Sequence, residues 1–157
     1  MNYVVEKDFL YSAAGRVWVL PELHLDTMPD GTLAINQVES DEIHRSIANE
    51  ICSTGDALTF DEFEFLCDIT VRSFSEVAEY LQIHKTTISK WRNQGAVSKA
   101  HYSAILKKWF WFEIFGDRIQ TSLVPLSCLR SDDDILGLVT TAARNEGIAR
   151  PVAKKVA

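Results

Sequence analysis

Residues 80–112 contain no Asp or Glu, although the 157-residue chain carries 22 acidic side chains and a net charge of −6. The same stretch holds Lys85, Lys90, Arg92, Lys99, Lys107 and Lys108. Residues 39–79 are the reverse: acidic side chains crowd that segment, and only Arg45 and Arg72 oppose them. Such a split predicts a dipolar molecule with one positive face and an acidic remainder.

Cysteine is scarce. Cys52, Cys67 and Cys128 are odd in number, widely spaced and form no CxxC pair. That argues against a disulfide framework or a thiolate metal site, and for reduced thiols in a cytoplasm, with Cys67 as a small core residue. No run of 18 apolar residues occurs, so no membrane span is expected. The opening MNYVVEKDF lacks the basic region and long apolar run of a secretory signal. P-loop, GxSxG, HExxH and strand-borne GxGxxG motifs are also missing. His24, His44, His84 and His101 have no carboxylate or cysteine at a useful sequence spacing. No enzyme, metal or cofactor is therefore expected. An apolar content of 46% and this length suit one domain, or a small domain with an appendage.

Along the chain, residues 1–15 are weakly patterned, with a short strand at 3–5. Residues 16–20 are β-branched and aromatic and read as a strand. Pro21 breaks or edges it. Leu23 and Leu25 alternate with polar residues as a second short strand, and Pro29-Asp30-Gly31 is a turn signal before Leu33, Ile35 and Val38. A small antiparallel sheet over 16–38 follows, which needs helices against one face. Ser40 can cap a helix carrying the stripe Ile43, Ile47 and Ile51. Thr59 and Glu62 form a capping box before Phe63, Leu66 and Ile69. Residues 1–55, 56–120 and 121–157 are the expected units.

Residues 73–95, SFSEVAEYLQIHKTTISKWRNQG, read as two short helices with a tight connection. Ser73 and Glu76 are another capping box. Val77, Ala78 and Leu81 give the first helix its apolar stripe, and Ile88 and Trp91 give the second its buried side. The rest of the second helix is Lys85, Thr86, Thr87, Ser89, Lys90 and Arg92, all donors or cations.

This pattern resembles the helix-turn-helix of the Cro and phage-repressor type (lambda-repressor-like, Xre-type). Small Ala78 sits where the helices cross, Ile83 plugs the turn, and Ile88 and Trp91 pack the second helix back on the first. Two positions depart from the family. The turn holds Gln82 where glycine is usual, and the second helix is capped by His84 where Ser or Thr is usual. Together with residues 58–66, the stretch also looks like the DNA-binding half of MqsA-type antitoxins, but without the paired cysteines of a zinc-binding head.

The resemblance implies an α+β chain: a five-helix-type helix-turn-helix DNA-binding domain, mainly α, behind a small antiparallel β unit. It implies a bacterial or phage transcriptional regulator, a repressor or autorepressor, bound as a homodimer to an inverted-repeat operator in double-stranded DNA. An antitoxin with a toxin partner, or an adaptor that has lost DNA binding, are the alternatives. Lys85, Thr86, Thr87 and Lys90 would face base edges; Ser75, His84, Ser89, Arg92 and Lys99 would grip phosphates. After Gly95, Ser98 can cap a helix on which Trp109, Phe110, Trp111 and Phe112 place large side chains nearly all round. Such a helix must be covered on more than one side, and these four are the candidate dimer contacts. Ser131 can cap a last apolar helix over 131–145, where Asp132, Asp133 and Asp134 suit the helix dipole better than an ion site. The basic tail from Ala149 is expected to be disordered.

Overall fold

The computed structural model describes residues 2–119 and the short strand Lys154–Lys155. Its architecture is α+β: a small antiparallel sheet precedes five helices. Strand β1 (Tyr3–Ala13) pairs with β2 (Arg16–Thr27) from Tyr3 opposite Asp26 to Ala13 opposite Arg16. The two-residue turn has φ 53° at Ala14 and 71° at Gly15, the positive pair that a type I′ hairpin needs. A Cβ at Gly15 would collide with the Asp61 side chain, so glycine also lets the turn sit against the helix that begins there. On its other side β2 pairs with β3 (Leu33–Ala34) and β4 (Lys154–Lys155).

The sequence pattern underestimates this sheet. The two expected short strands, 16–20 and 23–25, are one strand that passes through Pro21. Trp18 and Leu20 are buried, and so are Leu23 and Leu25, which means the inward parity switches at Pro21. Opposite Pro21 stands Asp8, with φ 52°, between the paired positions Lys7 and Phe9. Both strands re-aim there, so one continuous hairpin keeps a single buried face. The partner strand comes from the weakly patterned residues 1–15. Lys154 and Lys155, expected in a disordered tail, pair with Val19 and Trp18.

Helix α1 (Gln37–Ser53) starts before Ser40, because Asn36 is its cap and accepts from the Glu39 amide at 2.8 Å. Its stripe Ile43, Ile47 and Ile51 is buried. Helix α2 (Phe60–Thr70) has the Thr59–Glu62 capping box. Glu62 also receives Arg16 Nη2 at 2.9 Å, which ties the hairpin to the start of α2. Helices α3 (Phe74–Leu81) and α4 (Lys85–Gln94) follow, then α5 (Ala100–Ile119). Ser98 does not cap α5; its hydroxyl accepts the Trp91 indole N–H at 2.8 Å.

Phe63 of α2 is the meeting point of the helical half. It is fully buried, and its ring lies 5.5 Å from Phe74, 5.7 Å from Trp91 and 6.3 Å from Phe110. One phenyl thus packs against α3, α4 and α5. The backbone closes the unit: Phe60 N–H donates to Gly95 O, and Val97 N–H to Leu58 O, both at 2.9 Å. The expected helix over 131–145, its aspartates and the 121–130 loop lie outside the described residues.

Candidate functional site

Local chemistry fixes the α3–α4 pair. Ser73 and Glu76 complete the capping box that starts α3. Gln82 ends it with φ 55° and ψ 42°, the left-handed geometry that favours glycine at this position. Ile83 N–H donates to Ala78 O at 2.9 Å, which turns the chain sharply. His84 caps α4: its Nδ1 accepts from the Thr86 amide at 3.3 Å, a role that in neutral imidazole leaves the ring proton on Nε2. Val77 and Ala78 of α3 and Ile88 and Trp91 of α4 are all buried, so each helix is held by its apolar side. Gly95, with φ 74°, ends α4.

The opposite side of α4 is open. Lys85, Thr86, Ser89, Lys90 and Asn93 are exposed and lie three or four residues apart, hence on one face. No carboxylate occurs in the helix. Thr87 differs from its expected place. It is half-buried beside Ile88 and Trp91, while Ser89, expected at the edge, stands in the middle of the exposed face. Asn93 joins this face as a position outside the expected contact set. The signal was available, because 89 and 93 are four apart on a face already marked by 85 and 86.

Ser75, His84, Arg92 and Lys99 are exposed around this face. The Arg92 guanidinium lies 5.5 Å from the rings of both Phe60 and Phe74, the first residues of α2 and α3. Cation–π contact therefore holds it near the start of α3, next to Ser75. Lys99 has φ 70°, and its ammonium lies 5.9 Å from the Tyr102 ring. Lys107 leaves the expected positive face altogether. It is only 7% exposed and donates to Thr54 O at 2.8 Å and to Asp56 O. Lys107 also lines a cleft of about 190 Å³ with Cys52, Asp56 and Ser103. Its bonds to backbone carbonyls make it a fastener for the end of α1.

The aromatic run on α5 divides in two. Phe110 and Trp111 are 0% and 1% exposed, and Trp111 Nε1 donates to Asn49 Oδ1 at 3.0 Å. Both are core of the chain itself, because α5 packs between α1 and α2, and neither is open to a second chain. Trp109 is half-buried and stacks on Tyr80 at 4.2 Å and 11°; Phe112 is 38% exposed.

His24 and His44 find partners far away in the sequence, and of these only Glu39, beside His24, is a carboxylate. His24 Nδ1 lies 3.6 Å from Glu39 Oε2, and His44 Nε2 bonds the Tyr11 hydroxyl at 3.0 Å. Burial lowers the His44 pKa, so its imidazole favours the neutral form. The burial of Cys52 and Cys67 pushes both thiols up to about 12, far from nucleophilic thiolates. Among the described residues no group of three His, Cys, Asp or Glu side chains converges as for a metal, and no helix is long and apolar enough to cross a membrane. No protein-family model, curated protein or solved structure matches this chain.

Proposed function

We propose that α3 and α4 form a helix-turn-helix, and that the chain is a sequence-specific regulator of transcription acting on double-stranded DNA. The observation that carries this reading is the exposed face of α4: Lys85, Thr86, Ser89, Lys90 and Asn93, with no acid, on a helix anchored by Ile88 and Trp91. A major groove about 12 Å wide admits such a helix. Lysine suits guanine O6 and N7, asparagine suits adenine, and the hydroxyls suit either. Ser75, Arg92 and Lys99, with His84 at the edge, supply phosphate contacts that set the docking angle. The acidic remainder limits non-specific attraction to the duplex.

One such helix reads only a few base pairs, so two copies on an inverted repeat, with half-sites about one turn of roughly 10 base pairs apart, complete the operator. Repression follows where that operator overlaps a promoter. A bacterial or phage cytoplasm is the setting this reading implies. A toxin-binding role is the second reading, favoured by the hairpin side chains Tyr3 and Leu10, 66% and 63% exposed.

Selection of bound duplexes from a random DNA pool tests the proposal. A recovered motif whose binding weakens steeply with salt supports it. Failure to retain any duplex at low salt would sink it and leave a protein-interaction role.

A further inference from the structure

The outer face of α5 is apolar. Tyr102, Ile105, Trp109, Phe112 and Gly116 recur at spacings of three and four, which places them on one stripe. Ile105 and Phe112, its open part, are 41% and 38% exposed. Tyr102 and Trp109 are half-buried, against Trp91 and Tyr80, and Leu106, Phe110 and Trp111 on the other sides of the same helix are buried. The stripe rises about 21 Å, at about 1.5 Å per residue. Its flanks are charged and of opposite sign: Lys108 lies along one side and Glu113 along the other, five residues apart.

We infer that this stripe is the seat of a second copy of the chain, packed parallel to the first along α5. In two parallel helices, side chains on opposite flanks meet across the seam when they are five residues apart. Lys108 then lies beside the partner's Glu113, and the symmetric pair forms on the other side. In an antiparallel arrangement each flank meets its own kind, and lysine would face lysine. Arg72 already bonds Glu113 Oε2 at 2.8 Å, but a carboxylate accepts from more than one cation. The edge strand β1 is a poorer seat. It carries Glu6, Lys7 and Asp8 in mid-strand, and Asp8 leaves extended geometry, devices that oppose strand pairing.

Parallel pairing also suits the proposed function, on which this one step rests. Five residues, 95–99, connect the end of α4 to the start of α5. Two parallel α5 helices therefore carry both α4 helices at the same end of the dimer, towards one face of a duplex.

The test uses the full chain and sedimentation velocity. The wild type is expected to be a dimer at micromolar concentration. Phe112→Asp should weaken it at least tenfold, with an unchanged helical circular dichroism signal. Lys108→Glu and Glu113→Lys should each weaken the dimer, and an equimolar mixture of these two variants should restore it as a heterodimer. A monomeric wild type, or a dimer untouched by Phe112→Asp, would overturn the inference. A mixture that stays as weak as its components would overturn the parallel register. Duplex binding by the wild-type chain, measured separately, reports on the DNA reading alone. A protein that dimerises in this way but ignores DNA keeps the interface and loses the function.

Discussion

Lys107 Nζ donates to the carbonyl oxygen of Thr54 at 2.8 Å, and Thr54 is the residue that ends α1. The last carbonyls of a helix lack intrahelical partners and carry partial negative charge, so a lysine from α5 satisfies them and favours the dipole. A second bond to Asp56 O extends the clasp. Lys107→Met keeps the stem and removes the donors, leaving the two carbonyls without their cation. The expected loss is about 1–3 kcal/mol, towards the low end because burying the ammonium has its own cost. Urea denaturation measures it. Duplex affinity should not change, since this lysine is turned away from α4.

The two tryptophans of α5 should behave oppositely to their sequence pattern. Periodicity puts Trp109 on a stripe with Ile105 and Phe112 and leaves Trp111 aside. The structure buries Trp111 and gives its indole N–H to Asn49, while Trp109 stacks on the exposed Tyr80. Trp111→Ala should cost about 3–5 kcal/mol. Trp109→Ala should cost about 1–2 kcal/mol, within the range of partly covered sites. Equal losses in denaturant melts would contradict this assignment.

Trp111 is buried by a partner that local periodicity does not reveal. A heptad stripe shows which residues share a face, and it carries no information about which face a neighbouring helix covers. Here α1 comes from outside the α3–α4 unit and covers the side that local periodicity leaves free. The capping boxes of α2 and α3 were legible because they depend on near neighbours, Thr59 with Glu62 and Ser73 with Glu76, whereas Ser40 and Ser98 show that a lone serine does not fix a helix start. The β1 strand was not legible, since Asp8 and Pro21 shift the parity of both strands and hide the alternation. Lys107 reads as surface in the sequence because only the tertiary fold brings a helix end against it. Most of the α4 face was readable, and only burial separates Thr87 from Ser89.

Base reading should sort accordingly. Ser89→Ala, Lys90→Ala and Asn93→Ala should each relax sequence preference at one position of the selected site, by about 1–3 kcal/mol. Thr87→Ala should leave preference intact. Lys99→Ala should weaken every duplex alike and lower the salt slope by about one unit. Titrations against matched and mutated sites at several salt concentrations separate these classes. Uniform losses for Lys90→Ala would move it among the phosphate contacts.

Alkaline pH should unfold this chain through its thiols. Burial raises Cys52 from 9.0 to about 12, so the folded state holds a proton that the unfolded state releases. The resulting stabilisation is complete below pH 9 and disappears as pH rises from 9 to about 12. Cys67 acts in the same direction. Lys107 opposes them: burial lowers its pKa from 10.5, so its cost is relieved as pH rises towards 10.5. Cys52→Ala should flatten the pH dependence between 9 and 11 by about one proton, or about 1.4 kcal/mol per pH unit. An unchanged slope would mean that Cys52 ionises in the folded chain.

The end of α2 holds strain that can be removed. Val71 sits at φ 55° and ψ 37°, and its amide closes the helix onto Asp68 O and Cys67 O. A β-branched side chain is poorly suited to left-handed geometry, which costs about 1–2 kcal/mol for ordinary residues. Packing does not offset this, because Val71 is 87% exposed. Glycine relieves the strain but makes the unfolded chain more flexible, which returns about half of the gain. Val71→Gly should therefore stabilise the protein by about 1 kcal/mol, and Val71→Asn by a similar amount with less entropic loss. Gln82→Gly, at φ 55° but without a branched Cβ, should give a smaller gain in the same direction. Thermal and urea denaturation of the three variants would order them. A destabilised Val71→Gly would show that the exposed valine is held by a contact outside the chain, which a loss of dimer mass would reveal.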